Sequence, residues 1–117
     1  LELEFAIAPG PPATVVRMRG DLDLAGVNRI KPQVEKLLEQ SRVRLIYDMR
    51  ELSHIDSTGL GFLVWSRKRV RDQGGTLNLV ISQPGVQRLL EITGLLRLFD
   101  IYGDIEEALE AVPRDEG

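Results

Sequence analysis

The sequence predicts a single α/β domain built on a small, mixed but mainly parallel β-sheet. Three observations carry that expectation. Strand-like and helical patterns alternate along the 117 residues in the order ββαβαβαβα. The central strand pattern, over residues 43–48, is apolar on both faces, as a buried parallel strand is. The length is enough for one real core and too short for two. Strand–helix–strand units of this kind imply right-handed crossovers, and sites in such sheets gather where strands end and helices begin.

Taken in order, Leu3, Phe5 and Ile7 alternate with polar or small residues, and Pro9-Gly10-Pro11-Pro12 ends that strand. A second strand over residues 14–19 turns Val16 and Met18 one way and Val15, Arg17 and Arg19 the other. It closes at Gly20-Asp21-Leu22-Asp23, so the two strands form a hairpin. Leu24, Val27, Ile30, Val34, Leu37 and Leu38 have helical spacing, interrupted by Pro32. An interior proline costs about 3 kcal/mol, so regular helix is expected from about Asn28, with Pro32 in the first turn.

After the strand at 43–48, a helix over 57–72 is expected to bury Leu60, Leu63, Val64 and Val70 and to stop at Gly74-Gly75. Leu77, Leu79 and Ile81 mark the fourth strand. Pro84 opens a helix with Val86, Leu89 and Leu90 inward and Gly94 as terminator. A last short strand falls at 98–102. Asp104 and Glu107 then cap a final helix through Ile105, Ala108, Leu109 and Val112, and a polar tail occupies 113–117.

Composition narrows the function. The hydrophobic share of 43% and charged share of 28% are those of a folded globular chain. A net charge of −3 gives no electrostatic reason to expect nucleic acid or an anionic membrane as partner. No cysteine is present, which excludes disulfides, thiol chemistry and Cys-bound zinc and fits a cytoplasmic location. With His54 the only histidine, a transition-metal site is not expected either. There is no run of roughly 20 apolar residues and no signal-peptide pattern. The first residue is Leu, so the chain reads as a piece trimmed or cut from something longer.

The most informative stretch is His54-Ile55-Asp56-Ser57-Thr58-Gly59-Leu60-Gly61, which sets a hydroxyl where a strand gives way to a helix. One reading is structural: Ser57 or Thr58 caps the helix or lies in its first turn, and Gly59 and Gly61 let it pack closely on the sheet. The other is a switch. Phosphate on Ser57 adds roughly −1.5 to −2 charges beside Asp56, which the positive helix end tolerates. A hydrolase built from His54, Asp56 and Ser57 is disfavoured, because side chains this close in sequence seldom form a triad and no Gly-x-Ser-x-Gly elbow is present. No phosphate-binding loop occurs. Asp21 and Asp23 lie at the other strand–helix junction and are expected to share one molecular edge with Asp56 and Ser57.

Farther along the same helix, Phe62, Trp65 and Arg69 fall outside the inner stripe. Trp65 suits a docking face or a cover over the sheet edge, since Trp and Arg are enriched at interface hot spots. Arg67-Lys68-Arg69 with Arg71 reads as a solvated basic face.

These residues resemble a STAS domain of the anti-sigma factor antagonist family over nearly the whole chain, 1–117. The resemblance rests on Gly20-Asp21-Leu22-Asp23, on Asp48, on Asp56-Ser57-Thr58-Gly59-Leu60-Gly61, on Gly74-Gly75, and on Val86, Gly94-Leu95 and Phe99. It implies a small sheet with helices packed on one side, no catalytic activity and no cofactor. It implies that the unphosphorylated form binds an anti-sigma factor that is also a serine kinase, which frees the sigma factor. The kinase would phosphorylate Ser57, with Thr58 an alternative acceptor, and a metal-dependent phosphatase of the PP2C type would reset the cycle. Asp21, Asp23, Asp56, Ser57, Thr58, Gly59 and Trp65 are the expected partner-binding residues, on a monomer or weak dimer. The alternative is a STAS scaffold in a stress-sensing or transport complex, whose serine is no substrate.

Overall fold

A computed structural model describes residues 1–114. Among these, five strands form one sheet in spatial order β1 (Glu4–Ala8), β2 (Thr14–Leu22), β3 (Arg44–Ile55), β4 (Thr76–Val80) and β5 (Asp100–Tyr102). β1 is antiparallel to β2, as the hairpin pattern predicts, and every other pairing is parallel. The helices are α1 (Leu24–Glu39), α2 (Ser57–Asp72), α3 (Pro84–Ile92) and α4 (Ile105–Glu110). Of the tail expected at 113–117, Pro113 and Arg114 are exposed and the rest lies outside the described residues.

Two cores share the sheet. Val16, Met18, Leu45, Tyr47, Met49, Leu77 and Leu79 meet α1, α2 and α3 through Ile30, Val34, Leu37, Phe62, Leu63, Val70, Val86 and Leu90. Ala13, Ile46 and Val80 point the other way and bury Ala108 and Val112. One-sided cover therefore holds for three helices, while α4 takes the opposite face. β3 is apolar on both sides because it serves both cores.

Several boundaries differ from expectation for identifiable reasons. α1 begins at Leu24, four residues before Asn28, because Asp23 caps it by accepting the Gly26 amide at 2.9 Å. Pro32 thus lies inside the helix, but on its exposed side, where solvent can satisfy the Asn28 carbonyl it leaves free. β3 continues well past 48, to Ile55, and β2 past 19, to Leu22, as a ribbon beyond the end of β4. Register shifts between Arg17 and Arg19 and between Gly20 and Asp21 put an extra β3 residue into each step. Met49, Leu52 and Ile55 consequently share the helix-covered core at a spacing of three, not two. Residues 95–98 form a 3₁₀ turn (Leu95–Leu98), so β5 starts at Asp100 and not at 98.

α1 and α2 end in the same Schellman geometry. After α2, Gly74 has φ +76°, with Gly75 N–H bonded to Val70 C=O at 2.7 Å and Gly74 N–H to Arg71 C=O at 3.0 Å. After α1, the equivalent bonds run from Arg42 to Leu37 at 2.9 Å and from Ser41 to Leu38 at 3.0 Å. There the left-handed position is Ser41, at φ +61°.

Asp48, 3% exposed, is the buried charge of β3. Arg50 donates Nε to Oδ1 and Nη2 to Oδ2, each at 2.9 Å, and Arg17 on β2 stands 3.5 Å from Oδ2. Burial pushes this carboxyl up, but the Arg50 hydrogen bonds and the charges of Arg50 and Arg17 outweigh it, holding Asp48 below its ordinary range.

Two stability measurements follow from these geometries. Ser41→Gly removes left-handed strain and is expected to add about 0.5–1 kcal/mol, a rise of a few degrees in Tm by calorimetry. The Asp48 contribution is present above the usual carboxylate pKa and lost as pH falls through its depressed value. Arg50→Met reverses this by leaving burial dominant. Denaturant titrations should show a deficit of about 3 kcal/mol at neutral pH that shrinks toward about pH 4.

Candidate functional site

At the carboxyl end of the β2–β3 ribbon, Asp21 lies opposite His54 and Leu22 opposite Ile55. The next residue of each strand caps a helix, Asp23 for α1 and Asp56 for α2. The two acidic junctions therefore do share one edge, and the Asp56 amide bonds the Leu22 carbonyl between them at 3.3 Å.

Asp56, and not a hydroxyl residue, is the cap: its Oδ1 accepts the Gly59 amide at 2.9 Å. Ser57 is the first helical residue and is exposed, and Thr58, the second, is half-buried. No hydrogen bond engages the Ser57 hydroxyl among the described residues. His54 is exposed and bonds neither Asp56 nor Ser57, so no triad geometry forms. Asp21 is half-buried, and its amide donates to the Leu1 carbonyl at 3.0 Å. Asp23 and Asp56 form no ion pair among the described residues. Their carboxylates are spent on helix amides, and the edge carries negative charge close to a free alcohol.

Gly59 explains how the two junctions come so close. A Cβ there would lie 2.2 Å from the Leu22 carbonyl oxygen and 2.8 Å from Ile55 Cγ1. Gly61 does not share that role: it is exposed, and nothing lies within 4 Å of where its Cβ would be. Two large apolar residues of α1 and α2 are exposed, Leu24 at 60% and Val64 at 37%. Val64 is thus not an inner residue of α2, and Leu60 is only half-buried.

Phe62 takes the inward place instead, at 2% exposure. Its ring stacks on Tyr47 at 5.7 Å, and the Tyr47 hydroxyl donates to Ser66 at 2.7 Å, which donates to the Phe62 carbonyl at 2.8 Å. Burial drives the Tyr47 phenol well above its ordinary pKa, so it stays a neutral donor. Ser66 permits this chain, an inward polar position that apolar counting along the helix passes over. Trp65 is half-buried over Phe62, with Lys31 and Arg69 on its faces at 4.6 and 5.2 Å. It seals the seam between α1 and α2 and lies two turns from Ser57. The basic run is locally engaged: Arg67 donates to the Leu98 carbonyl, Lys68 pairs with Asp72, and Arg69 reaches Glu35.

Exchanging each glycine of the motif for alanine separates their roles. Gly59→Ala should lose about 1–3 kcal/mol, because backbone must move to admit the methyl. Gly61→Ala should gain about 0.5–1 kcal/mol from helix propensity. Urea unfolding of both variants checks the opposite signs.

Comparison with known proteins agrees with this architecture. The family model for the STAS domain matches residues 4–108. The anti-sigma-B factor antagonist of Bacillus subtilis is 33% identical over 95 residues, covering 81% of this chain and 86% of that protein. An anti-sigma factor antagonist from Mycobacterium paratuberculosis superposes with a TM-score of 0.85 at 22% identity, covering 95% of this chain and 94% of that one. The Bacillus cell fate determinant SpoIIAA in its phosphorylated form gives 0.73 at 22% identity, covering 92% and 97%. No helix among the described residues is long and apolar enough to cross a membrane. With the whole sheet, the first three helices, most of α4 and the Asp56-Ser57-Thr58-Gly59 junction inside the matched span, the chain belongs to the STAS domain family.

Proposed function

We propose that this chain is a cytoplasmic anti-sigma factor antagonist whose binding is gated by phosphorylation of Ser57. In the unphosphorylated state its acidic edge docks an anti-sigma factor that is also a serine kinase, and the sigma factor is released. The kinase then phosphorylates Ser57, the complex separates, and a metal-dependent phosphatase restores the hydroxyl. Thr58 is the second candidate acceptor. Asp21, Asp23, Asp56 and Gly59 shape the docking edge, with exposed Leu24 and Val64 as its apolar part and Trp65 at its border.

The observation that carries this reading is the division of labour between Asp56 and Ser57. The cap is a carboxylate, so the alcohol beside it is exposed and free to be modified. Phosphate at the helix start brings roughly −1.5 to −2 charges. The helix end offsets only about 0.3–1 kcal/mol of their repulsion with Asp23 and Asp56, or ~2 when partly buried. An isolated domain with solvent on that edge tolerates this. A partner pressed against the edge faces like-charge and desolvation costs of several kcal/mol. The relatives' names point the same way, and one neighbour of this fold is known in a phosphorylated form.

Incubation with a cognate anti-sigma kinase and ATP is expected to add one phosphate, mapped to Ser57 by mass spectrometry. Ser57→Ala should abolish the phosphate and keep binding, whereas Ser57→Asp should weaken binding at least tenfold, about 1.4 kcal/mol. Unchanged affinity of Ser57→Asp by calorimetry, with no phosphate transferred to the parent, would mark the scaffold role instead.

A further inference from the structure

Two arginines of the basic run on α2 differ from the others in what they face. Arg67 and Arg71 lie one turn apart on the same side of the helix, and both line an open pocket of about 370 Å³. Lys68 and Arg69 are turned elsewhere, toward Asp72 and Glu35. The pocket exists because β5 pairs with β4 only from Asn78 onward. Among the described residues, this leaves no strand beside the outer edge of Thr76 and Leu77. The pocket opens at the amino-terminal ends of the parallel strands, about 20 Å along α2 from Ser57.

The lining pairs cationic donors with groups that bind hydroxyls. Arg67 donates Nε to the Leu98 carbonyl at 2.7 Å, which fixes its guanidinium and leaves both Nη groups to donate. Arg71 is exposed, with no hydrogen bond or ion pair among the described residues. Among those residues, the only buried side-chain polar atom without a hydrogen-bond partner is Thr76 Oγ1. Buried hydroxyls are normally paired, and a rotation about χ1 carries this one to the pocket wall that Thr76 forms. Asp100 holds an exposed carboxylate on the rim, which repels a bare anion but accepts hydroxyl donors. The carboxyl end of α2 is also near, but its Arg71 and Val70 carbonyls are taken by the Gly74 and Gly75 amides. No aromatic side chain lines the pocket, so a nucleobase finds nothing to stack on.

The geometry points to a binding site for a small phosphorylated polyol. Its phosphate lies between Arg67 and Arg71, while its hydroxyls donate to Asp100 and meet Thr76 Oγ1. Both ends are needed, because phosphate alone leaves Asp100 opposed and a neutral polyol leaves the arginines unused. The volume suits a molecule of that size, near the lower end for small-molecule pockets. The site lies at the other end of α2 from Ser57 and does not depend on the phosphorylation switch.

Amide NMR titration with glucose-6-phosphate and glycerol-3-phosphate tests this, with glucose and inorganic phosphate as the separated halves. At least one polyol phosphate should shift Gly74, Gly75, Thr76 and Asp100 with a Kd of about 1 mM or below, and each half should bind at least about tenfold more weakly. Arg71→Gln should weaken binding about tenfold with Tm unchanged, whereas Lys68→Gln, which removes the same charge from another face, should not. Thr76→Val, which deletes an unpaired hydroxyl and should not lower Tm, should weaken binding too. Asp100→Asn should weaken the polyol phosphate and strengthen inorganic phosphate. The inference is overturned if neither polyol phosphate shifts these amides at about 20 mM, if inorganic phosphate binds as tightly, or if Lys68→Gln matches Arg71→Gln.

Discussion

The seat of α2 on the end of β2 governs the rest of the molecule. Gly59 lets the first turn of α2 touch the Leu22 carbonyl, and the Asp56 amide bonds that same oxygen at 3.3 Å. Because β2 and β3 run parallel and end level, α1 and α2 leave the sheet side by side with matching aspartate caps. Their adjacency makes the seam that Trp65 covers and the platform on which Phe62 reaches Tyr47. A side chain larger than hydrogen at 59 would wedge these elements apart and disperse the acidic edge.

Among the described residues, polar groups inside the domain are few and nearly all are partnered. Asp48 is clasped by two arginines at the centre of the sheet, and Gln83 extends this cluster by donating to the Arg50 carbonyl at 2.9 Å. That bond ties the start of α3 to the ribbon that carries the site. Tyr47 and Ser66 form the second internal group, bridging sheet and α2. The edge is thus braced from both sides of the sheet.

Much of this could be read from the chain because local and global preferences coincide. The turn at Pro9-Gly10-Pro11-Pro12, the Gly74-Gly75 stop, Pro84 at a helix start and the Asp104 cap each do what their chemistry suggests. Where expectation and structure part, a nonlocal cause is visible. Pro32 is a poor interior residue, but an Asp23 cap before it and solvent beside it let the helix run through. Met49, Leu52 and Ile55 do not alternate because two bulges reset the pleat, so a strand continuing to 55 lacks its usual period. Phe62 and Val64 exchanged places because the sheet lies to one side of the apolar stripe and Ser66 extends the inner face. The four acidic and hydroxyl residues of the edge were legible as junction residues, whereas the assignment of the cap to Asp56 required coordinates.

That assignment has an evolutionary consequence. Since residue 57 contributes little to holding α2 in place, selection for folding leaves it almost free to drift. Under the proposed phosphorylation switch, one codon change would silence or restore that input while the scaffold persists unchanged. A lineage would then convert a responsive regulator into a passive adaptor, and back again, without passing through an unstable ancestor.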